Sequence, residues 1–358
     1  MSLIVWLIKL LLVLGAVWLS LHVLARFFAR YYLIERRPDS VHYARTDDDW
    51  LVALHRFEPT KRKPRSLPLI LCHGLGGNMR LYDFSDHASL CRSLADAGYD
   101  VWALELRGAG DSSKPDWLGN YSYHWDFNDY LRYDIPAAVR YVLKQTRKKK
   151  LHWIGHSMGG MLMYAYLQTQ GAAQIATATA ISSPGNLDQF KGISRLAKVV
   201  ALLPVIRLAR LTQFLAPLFN HSSLIGMITG IRLENMLPGQ SALAAANCQS
   251  NIPVKLLNQF AQWVEAGEIS DHKGGYSYTR NLQVIQTPFL FLASEGDMTA
   301  LSGSVKFVYD AVSSKDKRYV LFGPGSESTA YGHVDILIGE NAPTEVFPVI
   351  HEWLDQHI

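Results

Sequence analysis

Hydrophobic and polar positions follow three different patterns along the chain. Residues 3–25 are apolar apart from three strongly polar positions, Lys9, Ser20 and His22. Further along, short apolar runs bounded by turn residues alternate with helical patterns. This alternation stops between about residues 184 and 286, where the apolar material is helix-like. The pattern therefore predicts an apolar helix, an α/β domain and an insertion in that domain.

The apolar segment at residues 3–25 is long enough to span a membrane, since about 20 apolar residues cross the hydrocarbon core. Lys9 lies near one end, and Trp6 and Trp18 suit the depth of the membrane interface. A secretory signal peptide is disfavoured, because a basic leading region is missing and the apolar run is too long. A buried core helix is disfavoured because the segment is apolar all round. We therefore predict a single-pass membrane anchor over residues 1–30, with residues 3–25 contacting membrane lipids.

Basic residues follow the predicted anchor; they are Arg26, Arg30, Arg36 and Arg37. Almost nothing basic precedes Lys9, so the positive-inside rule favours a cytoplasmic main domain. The same arginines could equally rest on anionic headgroups at either face of the membrane. The side of the membrane is therefore left open.

Seven apolar runs in the rest of the chain have the length and bounding turn residues of β-strands; they span residues 50–57, 67–72, 101–106, 151–155, 177–181, 288–292 and 319–322. Helical patterns lie between them, at residues 88–97, 127–144, 158–168 and about 346–356. This alternation predicts an α/β fold whose mostly parallel sheet is covered by helices on both faces. We place the two parts of the domain at residues 31–184 and 287–358, and a helical cap at residues 185–286.

Composition excludes several classes of protein. The 358 residues are 49% hydrophobic and 18% charged, which is enough apolar material for a large core and excludes disorder. A net charge of +4 is too small to indicate nucleic-acid binding, and the positive excess lies in residues 1–65. Three cysteines cannot form a fully paired disulfide framework. The chain has neither a CxxC nor an HExxH motif, so no metal site and no cofactor are predicted.

The clearest chemical motif is Gly155-His156-Ser157-Met158-Gly159, which matches the pattern G-x-S-x-G. This pattern marks a sharp turn between a strand and a helix that exposes a nucleophilic serine. A predicted strand precedes the motif here and a predicted helix follows it, so a glycine-rich turn without chemistry is the weaker interpretation. We predict that Ser157 is a nucleophile.

A serine nucleophile needs a base, and the base needs an acid to orient it. In this kind of fold the chain order is serine, then Asp or Glu, then histidine. Asp297 follows the predicted strand at 288–292, and His333 follows the last predicted strand. Glu295 is the alternative acid, whereas Asp335 is interpreted as local scaffolding. The predicted catalytic residues are therefore Ser157, Asp297 and His333.

Two backbone amides should form an oxyanion hole, one directly after the nucleophile and one in the loop after an earlier strand. These are the amides of Met158 and of Leu75, which lies in Cys72-His73-Gly74-Leu75-Gly76-Gly77. A phosphate cradle is rejected for this loop, because it lacks the lysine and hydroxyl residue that end a P-loop. We expect His73 to form a structural hydrogen bond instead of acting as the base.

Taken together these motifs resemble the α/β-hydrolase superfamily; they are His73-Gly74, residues 106–112, residues 155–159, Asp297 and His333. Within it the chain is most similar to acid lipases of the gastric and lysosomal type, through residues 47–50, 125–127, 133–137 and 333–335. The likeness covers about residues 43–182 and 288–340. The chain departs from those lipases in its anchor, in its cap and in Met158, where a glutamine is usual.

The leading hypothesis is a membrane-anchored serine hydrolase that cleaves carboxylic esters with lipid-like acyl chains, as lipases, esterases and phospholipases do. Its partners are then a lipid or ester substrate and membrane lipids, with no nucleic acid. One alternative is an acyltransferase or thioesterase that uses the same acyl-enzyme. Another is a catalytically silent binding protein tethered to the membrane. The sequence gives no signal for the oligomeric state.

Overall fold

The computed structural model describes residues 3–61, 65–116, 121–169, 171–187, 204–221, 226 and 230–357. Within these residues one large sheet has eight strands: β1 (Ser40–Arg45), β2 (Leu51–Phe57), β3 (Leu69–Cys72), β4 (Val101–Glu105), β5 (Leu151–His156), β6 (Ile175–Ile181), β9 (Phe289–Ser294) and β10 (Lys317–Phe322). A two-stranded sheet contains β7 (Val205–Ile206) and β8 (Ile252–Pro253). The helices are α1 (Leu3–Tyr31), α2 (Leu90–Asp96), α3 (Phe127–Asp129), α4 (Ile135–Thr146), α5 (Met158–Thr169), α6 (Leu208–Leu215), α7 (Gln240–Asn247), α8 (Val254–Ala266), α9 (Ser302–Ala311), α10 (Asp335–Ile338) and α11 (Ala342–Asp355).

The large sheet has the strand order β1-β2-β4-β3-β5-β6-β9-β10. Strand β2 is antiparallel to β1 and to β4, and the remaining pairs are parallel. The predicted mostly parallel sheet is confirmed, and the seven predicted strands are all present with ends shifted by at most two residues. Since the parallel strands share one direction, their carboxyl ends meet at one edge of the sheet.

Helices cover both faces of the sheet, as predicted. On one face α4, α5 and α9 bury side chains such as Val139, Met161 and Val305. On the opposite face α2 and α11 bury Leu94 and Val346. Burial of these apolar side chains is the main favourable contribution to folding. Strand β1 and helix α9 were not among the predicted elements.

One predicted helix is interrupted. The pattern at 127–144 predicted a continuous helix, but Tyr130–Asp134 forms a π-helical turn between α3 and α4. Through this turn the buried carboxylate of Asp134 accepts hydrogen bonds from the backbone N–H and Nε of Arg107 at 2.8 and 2.7 Å. The same guanidinium donates to Asp48 at 2.7 Å. Two of the segments that carry the resemblance to acid lipases, 47–50 and 133–137, therefore meet in one buried ion-pair network with Arg107 of the segment 106–112.

The insertion between β6 and β9 contains α6, α7, α8 and the β7–β8 pair. Residues 188–203, 222–225 and 227–229 of the predicted cap lie outside the described residues. Part of the insertion has its own small core of buried side chains; these are Ala216, Phe219, Ala242, Ala245 and Ala246. We call residues 185–286 the cap from here on.

Helix α1 stands apart from the sheet. Its window Val5–Tyr31 has a mean hydropathy of 2.2 and none of it is buried, so by length and composition it could cross a membrane or serve as a signal sequence. The chain that follows α1 contacts the cap through Asn247. The Asn247 side chain donates to the Tyr32 carbonyl at 2.7 Å and accepts from the Ile34 N–H at 3.1 Å.

The three cysteines, Cys72, Cys91 and Cys248, are all buried and unpaired. Burial raises the pKa of each thiol above its usual value. They therefore behave as small apolar core residues.

Candidate active site

Ser157 lies in the tight turn between β5 and α5. Its φ of 54° is in the left-handed region, which is strained for a residue other than glycine. The glycines around it allow close packing, because a Cβ built on Gly159 would lie 2.0 Å from the Cys72 carbonyl oxygen. The Ser157 N–H donates to the Ile181 carbonyl at 3.0 Å, which ties the turn to β6. The local geometry is that of a serine presented at the edge of a sheet.

A continuous chain of hydrogen bonds joins three of the predicted site residues. The Ser157 Oγ lies 2.9 Å from the His333 Nε2, and the His333 Nδ1 lies 2.9 Å from the Asp297 Oδ2. Asp297 and His333 are buried, at 1% and 8% exposure. These side chains come from loops after β5, β9 and β10, so the edge of the sheet brings together residues up to 176 positions apart.

The Asp297 carboxylate is held by neighbours on both oxygens. While Oδ2 contacts His333, Oδ1 accepts from the backbone N–H groups of Thr299 and Ala300, each at 2.8 Å. Burial raises the pKa of Asp297, but the charge and hydrogen bond of His333, with the Ala300 amide, bring that pKa below its ordinary value. Asp297 is therefore an ionised hydrogen-bond partner of the imidazole.

The alternative acid, Glu295, does not contact His333. Its carboxylate lies beside Gly323, where a built Cβ would be 2.5 Å from the Glu295 Oε2, and the residue is exposed. Asp335 is buried and accepts hydrogen bonds from the Gly332 and Arg232 N–H groups and from the Asn235 side chain. It thereby joins the loop that carries His333 to the cap, which is the scaffolding role predicted for it.

The two predicted oxyanion donors lie beside Ser157. Met158 is the next residue, and a Cβ built on Gly74, just before Leu75, would be 2.8 Å from the Ser157 Cβ. Among the described residues, neither the Leu75 nor the Met158 amide donates to a protein acceptor. Both N–H groups are therefore available to a developing negative charge.

His73 has the predicted structural role. Its Nδ1 donates to the Gly74 carbonyl at 2.8 Å, and its Nε2 accepts from the Leu106 N–H at 3.2 Å. Burial lowers the pKa of His73, so the ring is neutral. It holds the glycine-rich loop against the neighbouring strand.

Comparison with known proteins identifies the family. Residues 68–326 match the family defined by the alpha/beta hydrolase fold. The chain belongs to the α/β-hydrolase family.

Relatives of this hydrolase include several lipases. Lipase member M of Homo sapiens is 25% identical over 346 residues, which cover 86% of this chain and 80% of that protein. Gastric triacylglycerol lipase of Bos taurus is 23% identical over 355 residues, covering 87% of this chain and 86% of the lipase. The crystal structure of a bacterial membrane phospholipase A has the same fold, with a TM-score of 0.57, 21% identity and 98% of each chain covered.

The predicted resemblance to gastric-type acid lipases is thus confirmed. The hydrolase is of the lipase and esterase type, an enzyme that cleaves carboxylic esters.

One residue of the hydrolase site was not predicted. The His156 Nε2 donates to the His333 carbonyl at 2.8 Å, and the two rings lie 4.7 Å apart between centroids. Burial, followed by the charge of His333, lowers the pKa of His156 to about 3, so His156 is a neutral donor. It holds the backbone of His333 in place. Its only sequence signal is its position next to Ser157, because its partner is 177 residues away.

A cluster of side chains of the types that bind metal ions lies away from Ser157, Asp297 and His333. Within the part of the chain that the structure describes, ligand atoms of His55, Glu105 and Asp111 lie within 4.8 Å of one another. Here the His55 Nε2 contacts the Glu105 Oε2 at 2.9 Å, and the Glu105 carboxylate also accepts from the Asp111 N–H. This hydrogen-bonded group holds the turn at 105–111.

Proposed function

We propose that the hydrolase cleaves esters through an acyl-enzyme, with Ser157 as nucleophile, His333 as general base and Asp297 as the acid that orients it. The observation that carries this proposal is the hydrogen-bond chain from the Ser157 Oγ through the imidazole to the Asp297 carboxylate, with 2.9 Å in each step. A serine is activated when a base accepts its proton and an acid fixes the tautomer of that base.

The reaction then follows from these contacts. The Ser157 Oγ attacks the ester carbonyl carbon while the His333 Nε2 accepts its proton, and the Leu75 and Met158 amides stabilise the oxyanion. Collapse of the tetrahedral intermediate breaks the ester bond, and His333 passes the proton to the leaving alcohol. Water then attacks the acyl-enzyme with His333 again as the base. The carboxylic acid leaves and Ser157 regains its proton.

We further propose that α1 anchors the enzyme in a membrane and that its substrates have lipid-like acyl chains. Large apolar side chains on α1, such as Leu12 and Trp18, are 68% and 65% exposed, which suits hydrocarbon and not water. Helix α1 itself contacts α6 and α7 of the cap, as expected of a segment that stays in the mature protein. The lipid-like substrate is supported by the relatives that are described as lipases.

The decisive experiment treats the full-length enzyme with a fluorophosphonate probe and maps the labelled peptide. We expect one label on Ser157, and loss of labelling and of ester hydrolysis in S157A with an unchanged unfolding temperature. Labelling of another residue, or full activity of S157A towards p-nitrophenyl butyrate, would refute the mechanism. An unlabelled wild-type enzyme would instead support the silent binding protein.

Two further measurements test the finer parts of the proposal. A panel of p-nitrophenyl esters of increasing chain length should show a preference for longer acyl chains, and a flat profile would contradict the lipid-like substrate. Membranes washed with alkaline carbonate should retain the full-length enzyme but release a variant that lacks residues 3–30. Release of both proteins would show that α1 is not an anchor.

A further inference from the structure

A cavity lies where α1, the cap and the sheet domain meet. It has a volume of about 1050 Å³. Its walls come from the end of α1 and the chain after it, from α6 and residues 246–251 of the cap, and from residues near Met79 and Glu105. Ser157, Asp297 and His333 do not line it. We call it the junction cavity.

The junction cavity is lined by six cationic side chains: Arg30, Arg36, Arg37, Arg80, Lys114 and Arg210. Arg36 pairs with Asp83 at 2.8 Å and also with Asp86. Arg80 donates to the Arg36 carbonyl at 2.9 Å and has no carboxylate partner among the ion pairs of the described residues. Arg30 and Arg210 are exposed and form no ion pair with any carboxylate in the described ranges.

Acidic side chains are fewer in the junction cavity. Glu35, Glu105 and Asp111 line it, and Glu105 is already engaged by His55 at 2.9 Å. Cations therefore outnumber acids, and the cavity favours an anion. Guanidinium groups bind phosphate oxygens with paired hydrogen bonds, which makes a phosphate ester the anion that these side chains suit best.

The position of the cavity indicates where that phosphate comes from. Arg30 lies in the last turn of α1, at the end of the apolar window Val5–Tyr31. On the proposed anchoring of α1, this end lies at the depth of the lipid headgroups, where anionic lipids attract basic residues. Exposed Leu33 and half-exposed Val41 also line the cavity and could contact the start of an acyl chain.

We propose that the junction cavity binds the phosphate of an anionic membrane phospholipid, at a site separate from the scissile ester. Its occupant contacts α1, the cap and the core together, and so stabilises their arrangement. The cavity also borders the loop that carries Leu75. Asn78 lines it and donates to the Asn247 carbonyl at 2.8 Å, while the Ser250 N–H donates to the Gly76 carbonyl at 2.6 Å.

The test uses full-length S157A in a neutral detergent, so that hydrolysis does not affect the result. Unfolding temperature is measured with diether phosphatidylglycerol, with diether phosphatidylcholine and with inorganic phosphate at equal concentrations. A ligand that binds only the folded state raises this temperature. We expect phosphatidylglycerol to raise it by about 3–6 °C and the other two to leave it nearly unchanged.

Variants locate the binding site. R30Q/R210Q removes two cations that have no described carboxylate partner, and it should abolish the shift. K148Q/R318Q removes the same charge away from the cavity and should keep the shift. If R30Q/R210Q does not fold, R37Q/R210Q replaces it.

Three results would overturn the proposal. They are an equal shift with phosphatidylcholine, a full shift with inorganic phosphate alone, and a shift retained in both cavity variants. The fluorophosphonate reaction and the membrane wash test the proposed function in separate experiments. Failure of the proposed function is therefore distinguishable from failure of this site.

Discussion

The edge of the sheet and the junction of α1 with the cap hold their side chains in different ways. At the sheet edge, two hydrogen bonds of 2.9 Å connect Ser157, His333 and Asp297, and the acid and the base are buried. At the junction, the Asn247 side chain bonds to the backbone of Tyr32 and Ile34, and exposed arginines lie nearby. Catalysis requires that the reacting atoms are positioned to within a fraction of an ångström. Contact with a lipid surface requires only charge and exposed apolar area.

The largest effect should come from breaking the hydrogen-bond chain at its acid. In D297N the amide cannot hold the imidazole in the required tautomer, so we expect kcat for p-nitrophenyl butyrate to fall about 10⁴-fold. The matched control is E295Q, two residues earlier, which should change kcat by no more than about twofold. Equal losses in the two variants would show that the wrong carboxylate has been assigned.

A second prediction concerns the packing behind Ser157. G159A places a Cβ 2.0 Å from the Cys72 carbonyl oxygen, and neither backbone can move freely. We expect the free energy of unfolding to fall by about 3 kcal/mol, measured by urea denaturation. In G303A the added Cβ meets nothing within 4 Å in helix α9, so the free energy of unfolding should rise by about 0.5–1 kcal/mol. A similar loss in both variants would contradict the packing argument.

Acid should weaken the sheet domain through its buried histidines. Burial lowers the pKa of His152 to about 4, and burial with the charge of His333 lowers that of His156 to about 3. Below pH 6.5 the two histidines bind protons in the unfolded chain but not in the folded chain. The free energy of unfolding therefore decreases as the pH is lowered. The loss is about 1.4 kcal/mol per pH unit for each histidine.

We therefore expect the free energy of unfolding of H152Q to decrease by about 2 kcal/mol less than that of wild type between pH 6.5 and pH 5. Urea denaturation at each pH measures this difference. The exposed His124 supplies the control, since H124Q should keep the wild-type dependence. An identical pH dependence for H152Q and wild type would count against a neutral His152.

The smallest effect is expected at the junction. N247A removes the bonds to the Tyr32 carbonyl and the Ile34 N–H, each a partly exposed contact. Amide hydrogen exchange at Ile34 should become about tenfold faster, while hydrolysis of a soluble ester stays unchanged. The control is N341A, which removes an exposed hydrogen bond from Asn341 to the Thr329 hydroxyl, away from the junction. It should not alter amide exchange at Ile34. Loss of soluble-ester activity in N247A would show that the junction and the sheet edge are coupled.

The same contrast explains what could be predicted from the sequence. The positions of Ser157, Asp297 and His333 after predicted strands predict that they lie close together, because the carboxyl ends of parallel strands meet at one edge of a sheet. The sequence favours Asp297 and keeps Glu295 as the alternative acid, because the difference between them depends on the path of a turn. Only the geometry shows which carboxylate reaches the imidazole.

Contacts between distant parts of the chain could not be predicted. Asn247 and Tyr32 are 215 positions apart, and nothing in the local pattern at either residue indicates the other. The π-helical turn at Tyr130–Asp134 was also missed, because its apolar spacing is compatible with a regular helix. The buried partner of Asp134 in this turn, Arg107, lies in a different segment.

The three buried cysteines have a practical consequence. Only the thiolate reacts readily with maleimides, and burial both raises the thiol pKa values and blocks access. A single cysteine introduced at Leu211, which is 52% exposed on α6, would then be the preferred target for a fluorophore or spin label. The native chain thus serves as its own unlabelled background for measuring the depth of the cap relative to a lipid bilayer.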